Sequence, residues 1–154
     1  MGKGQVQVTY QLVEGNLPLT LQGTFKPWAI EVGHSKILLR GLSGGEEGDA
    51  PRVFDVLFQD VSRISLADRY AGLSLSDAGP EALRAEERRA GRSWGESALF
   101  RVSEDHPYDY VVAGIVFWAE VFVPATDPSP LMQEFPIPGS IKDDQVFRVR
   151  AGSR

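Results

Sequence analysis

Hydrophobic and polar residues alternate through residues 5–13. Val6, Val8, Tyr10 and Leu12 share one parity, and Gln5, Gln7, Thr9 and Gln11 the other. A period of two marks a strand with one buried face. Glu14-Gly15-Asn16 has turn chemistry. Leu17, Leu19 and Leu21 then alternate with Pro18, Thr20 and Gln22. The two runs predict an antiparallel hairpin, with Pro18 at a strand start where a missing N–H is tolerated. Lys26-Pro27 predicts a break. Beyond it Trp28, Ile30 and Val32 alternate with Ala29, Glu31 and Gly33, Gly33-His34-Ser35 reads as a turn, and residues 37–42 read as a strand. Residues 41–51, GLSGGEEGDAP, combine glycines, acids and a proline, the composition of a surface loop.

Residues 52–66 carry apolar side chains on both parities: Phe54, Val56 and Phe58 on one, Val53, Leu57 and Val61 on the other. That pattern predicts a strand covered on both faces, and the parity shift at Asp60 predicts a bulge or break there. Another strand is expected over residues 70–75. Helix signals frame residues 80–90: proline at the first position, Glu81 beside it, Asp77 or Ser76 as helpers at the start, and Gly91 just past the end. Its charges are mixed and its apolar face is thin (Leu83, Ala90 and Trp94), so a surface helix is expected. A short strand is read at 97–103, and a two-faced apolar strand at 110–123 is expected to be the most buried element. Residues 126–139 hold four prolines and read as an irregular wrapping segment; residues 145–150 read as a last strand and 151–154 as a disordered tail. With seven to nine strands and one helix, the expected fold is a single mainly β domain over residues 1–150. Its antiparallel sheet could be sandwich-like, barrel-like or of α+β type.

Composition narrows the chemistry. The chain has no cysteine, which removes disulfides, thiolate catalysis and cysteine metal sites and favours a reducing compartment, read as the cytoplasm. Its longest apolar run, residues 110–123, contains Glu120 and is shorter than the roughly 18–20 residues of a membrane helix, so no membrane partner is expected. Net charge is -5, and the one basic cluster, Arg84, Arg88, Arg89 and Arg92, is interleaved with Glu81, Glu86 and Glu87; nucleic acid is therefore not expected either.

Candidate chemistry is sparse. Ser43, in Gly41-Leu42-Ser43-Gly44-Gly45, lacks the strand-to-helix setting of a nucleophile elbow, and only His34 and His106 could serve it as base. Glu104, Asp105, His106 and Asp109 lie close in sequence but match no metal-binding motif, so they read as a solvated turn. Asp55, Asp60 and Glu120 are carboxylates inside apolar strands, where burial can raise a pKa. Glu120 with His106 or Asp109 is the one arrangement that would support a hydrolytic or small-molecule-binding domain. Phosphate cradles are missing, since Gly44-Gly45-Glu46-Glu47-Gly48 would repel an anion. Trp28, Trp94, Trp118, Tyr108 and Tyr110 could line a pocket or an interface. Trp94, flanked by Gly91 and Gly95, must either dock back on the domain or meet a partner.

These residues carry the expectation of a non-enzymatic, intracellular protein-binding module of inhibitor or immunity type, with no cofactor and no metal. Its binding residues would be Trp94, Glu46 and Glu47, and the acidic loop would steer a basic partner. Two-faced strands and open sheet edges make a homodimer the favoured assembly.

Overall fold

The computed structural model describes residues 10–45 and 50–152. Among them are ten strands and one α-helix: β1 (Gln11–Glu14), β2 (Leu19–Glu31), β3 (Lys36–Ser43), β4 (Arg52–Gln59), β5 (Arg63–Ser65), β6 (Tyr70–Asp77), α1 (Pro80–Ala90), β7 (Ala98–Arg101), β8 (Tyr110–Ala113), β9 (Ile115–Val121) and β10 (Gln145–Arg150). The strands form one sheet in the order β1-β10-β9-β4-β3-β2-β6-β7-β8-β5, open at both edges and not closed into a barrel. Every pairing is antiparallel except β1 with β10. The mainly β expectation holds, and the helix and last strand have the predicted bounds.

The expected opening hairpin does not form. β1 runs parallel to β10, Gln11 opposite Gln145 and Glu14 opposite Arg148, while β2 pairs with β3 and β6. Alternation states which face of a strand is buried but not which strand lies beside it. Residues 5–9 of the predicted strand, with Glu46 and Glu47, lie outside the described residues. Nor does Lys26-Pro27 end β2, which runs on to Glu31 with a register shift between Pro27 and Ala29. β6 leaves β2 at Phe25, so beyond that point the proline lies on a strand paired on one side only, where a missing N–H costs little.

The apolar segment 110–123 is two strands divided at Gly114. The Gly114 N–H donates to the carbonyls of Gln59 (3.1 Å) and Asp60 (3.2 Å), and the Ser62 N–H donates to Val112 (2.8 Å). Asp60, at φ 57°, is the predicted break in the neighbouring strand. At this shared corner β4 passes into β5 while its partner β9 passes into β8. A Cβ on Gly114 would lie 3.1 Å from that of Asp60, so a larger residue there would require Asp60 to give by a few tenths of an ångström.

Around this corner the two parts of the sheet enclose the main core. Phe25, Ile37, Leu39, Val56 and Phe58 meet Phe100, Val102, Val111 and Ala113, all buried, and the Phe58 and Phe100 rings are 5.9 Å apart. The opposite face of β4 and β9 buries Val53, Ala119 and Val121 against Ile141, Leu131 and Val123, so the proline-rich segment does wrap the sheet. Arg40 fastens that wrap. It forms a buried two-pronged pair with Asp55 (2.8 and 2.9 Å), and its third nitrogen donates to the carbonyls of Ala125 and Asp127 (2.9 and 2.6 Å). The tail is docked at its start, where the Ala151 N–H donates to Gly114. Among the described residues no helix is long and apolar enough to cross a membrane.

Candidate functional site: a cleft between the helix and the sheet

The short strands β5, β8 and β7 present two cross-strand rows to α1. One is Arg63–Val112–Leu99; the next is Ser65–Tyr110–Arg101. Helix α1 covers the first row. Leu83 and Trp94 pack with Leu99, Tyr110 and Val112, with Ala78 and Ala90 at the margin. Trp94 takes the first of its two courses. Gly91 reverses the chain at φ 68°, Glu87 accepts the Trp94 backbone N–H at 2.7 Å, and the ring turns under the helix with 8% of its surface exposed. So placed, it supports the roof of a site and offers little surface to a partner. Its indole N–H is buried and meets no acceptor among the described residues, and Arg63 stands 5.9 Å from the ring centre.

The second row remains open as the floor of a cleft of about 690 Å³. Ala82, Ala85, Glu86 and Arg89, at helical spacing of three and four, face it from α1, and Pro107 and Tyr108 close its rim. The two alanines leave depth that longer side chains would fill. At the back, Glu86 accepts both Nε and Nη2 of Arg89 (2.6 Å each) and the Tyr110 hydroxyl (2.6 Å), while that hydroxyl accepts Nε of Arg63 at 3.0 Å. The Arg89 fork holds the Glu86 carboxyl down to about 2, aided by Tyr110 and opposed by partial burial. Burial raises the Tyr110 phenol, and its bond to Glu86 adds to this. Arg101 donates through Nη1 to the Pro107 carbonyl, and Tyr108 is 86% exposed. The cleft thus joins two guanidiniums, of Arg89 and Arg101, and one carboxylate to the apolar surfaces of Leu99, Pro107 and two tyrosines.

The other sequence candidates lie elsewhere. Glu120 lines a separate cleft of about 320 Å³ with Arg52, Phe54, Trp118, Lys142 and Phe147. Arg52 binds both its oxygens (2.7 and 3.1 Å) and Lys142 approaches at 3.4 Å. The Arg52 hydrogen bonds lower the Glu120 pKa, the opposite of what a general acid needs. His106 and Asp109 are not in that cleft. Residues 115–120 alone span roughly 16 Å at ~3.3 Å per residue, and His106 and Asp109 lie past the corner on the other arm. Asp109 instead accepts the Tyr70 hydroxyl at 2.7 Å, and the His106 and Tyr70 rings meet in a T-shaped pair. Burial and this bond raise the Tyr70 phenol. Among the described residues no three His, Asp or Glu side chains converge as metal ligands, Glu104 and Asp105 included. Asp55 is committed to Arg40 and Asp60 to the corner. Ser43 ends β3 opposite Arg52, and His34 pairs with Glu31. Trp28 lies against Arg40, and Trp118 stacks on Phe147.

Of the cleft's residues, sequence reading singled out Tyr108 and Tyr110 and missed Ser65, Arg101 and the roles of Glu86 and Arg89. The one signal on the chain was the stripe Ala82, Ala85, Glu86, Arg89 on an otherwise charged helix. No family model, curated protein or solved structure matches the chain.

Proposed function

We propose that this chain is a non-enzymatic protein-binding module of the cytoplasm whose docking place is the cleft between α1 and β5–β8–β7. The observation that carries this reading is a concave, aromatic-walled surface lined by arginines on a chain of net charge -5. Arginine and tyrosine are the residues on which interfaces concentrate binding energy. A lining of sign opposite to the chain's own gives a partner both register and charge complementarity. Glu120, the carboxylate best placed for chemistry, is held ionised by Arg52, which supports binding over hydrolysis. A homodimer belongs to the same reading through the end of β2, where Trp28 and Ile30, with Val32 just after the strand, stand exposed beyond the end of β6. Light scattering at micromolar concentration measures it.

The test is capture from the native host with wild-type protein and with Arg101→Glu. A protein retained by the wild type and lost from a normally folded Arg101→Glu supports the reading. Equal capture by both, or recovery of a copurifying metabolite with no protein, overturns it.

A further inference from the structure

Resting on that reading, we propose that the cleft recognises a carboxylate presented beside an aromatic side chain on a partner polypeptide, with Arg101 and Arg89 as its receptors. Glu86 is the internal carboxylate with which it competes.

The donors point to an anion. A guanidinium carries five N–H groups in a fixed fork. Arg89 spends Nε and Nη2 on Glu86 and also interacts with the Tyr110 hydroxyl, while among the described residues no hydrogen bond engages its Nη1. Arg101 spends Nη1 on Pro107, while its Nε and Nη2 meet none. Both side chains line the same cleft, where two guanidiniums stand against one carboxylate, Glu86, and Arg63 lies behind Tyr110. Glu86 also displays the chemistry these donors take: a planar carboxylate gripped by an arginine fork and capped by a tyrosine hydroxyl. A singly charged carboxylate fits the remaining positive charge better than a doubly charged phosphate, which would repel Glu86 more strongly.

The walls supply the second half of the recognition. Leu99, Pro107 and the Tyr110 ring form an apolar side, the two alanines leave room above it, and Tyr108 sits at the rim almost uncovered. An aromatic ring stacked on Tyr108 would cover this surface while its neighbouring carboxylate reaches Arg101.

The experiment is a titration of the ¹⁵N-labelled full chain, followed by NMR, with the peptide acetyl-Gly-Phe-Asp-Gly-amide. Controls carry Asn for Asp or Ala for Phe, and parallel titrations use 3-phenylpropionate and inorganic phosphate. The expected result is shifts centred on Ser65, Arg101, Tyr108 and Tyr110, with both control peptides at least about fivefold weaker. Arg101→Gln should weaken the peptide by about tenfold or more. Tyr108→Ala, on an exposed rim that the fold does not need, should act on the Phe peptide and not on its Ala version. Glu86→Gln should bind about two- to fivefold more tightly, because it removes the competitor. Thermal melts establish that each variant is folded.

Equal binding of the Asn peptide, indifference to Arg101→Gln, or no shift with any probe overturns the proposal. So does binding of 3-phenylpropionate or phosphate where the peptide fails, since the cleft would then serve a free small acid or a phosphate. Capture of a native partner that depends on Arg101, with no peptide binding, overturns this inference and leaves the binding-module reading standing.

Discussion

Two ion pairs, Glu86 with Arg89 and Arg40 with Asp55, put charge to opposite uses. Glu86 lies at the surface end of its network, and its pairing is visible as a depressed pKa, about 2 against an ordinary 4.5. A carboxylate depressed on folding contributes stability above its unfolded pKa and loses that contribution as pH falls towards the folded value. The gap in urea midpoint between wild type and Glu86→Gln should therefore be full above 4.5 and close as pH falls towards 2; a constant gap across that window would refute this assignment. Arg40 and Asp55 form the other kind, buried, with each Arg40 side-chain nitrogen and both Asp55 oxygens hydrogen-bonded. Removing one partner leaves a stranded charge in the core, so Asp55→Ala should cost about 3–5 kcal/mol in urea unfolding. The pair also ties the wrapping segment through Ala125 and Asp127, and an Arg40→Met chain should be cut there faster by limited proteolysis.

At the scale of elements, glycines decide where strands and helix can lie. Gly41 on β3 faces Phe25 on β2 in register, and a Cβ there would come within 2.2 Å of the ring. Gly41→Ala is expected to destabilise by about 1–3 kcal/mol through overpacking. Phe25→Leu should recover part of that loss, giving a non-additive double-mutant cycle; strict additivity would show that the ring is not the cause. Gly91 plays a local part. It ends α1 in the left-handed region and turns Trp94 beneath the helix. Gly91→Ala should cost about 1–2 kcal/mol and loosen the roof of the cleft, seen as a red shift of tryptophan emission. The helix was legible because its signals are local: a proline at its start, a glycine at its end and charge spacing between.

For the whole molecule, the shared corner at Asp60 and Gly114 is expected to make the two parts of the sheet unfold as one cooperative unit. Side chains of both parts meet in the main core, and Phe100 on β7 meets Phe58 on β4 across it. Phe100→Ala should cost about 3–5 kcal/mol. It should move the far-ultraviolet dichroism and tryptophan-fluorescence transitions together, as two-state unfolding requires. Separate transitions would mean that the helix-bearing part unfolds alone.

The amino-acid sequence by itself determined the mainly β class, the helix at Pro80–Ala90, the last strand, the break at Asp60 and the proline-rich wrap. Each follows from propensity, periodicity or turn chemistry within a few neighbouring residues. Only the tertiary structure decided that β1 joins β10 in parallel, that Pro27 lies within a strand, and that residues 110–123 turn a corner at Gly114. It alone carried Trp94 under the helix and brought Arg101, Tyr110, Glu86 and Arg89 to one cleft while keeping Glu120 away from His106 and Asp109. Those outcomes depend on which distant strands pair and in what register, and a period-two pattern is the same whichever neighbour a strand acquires.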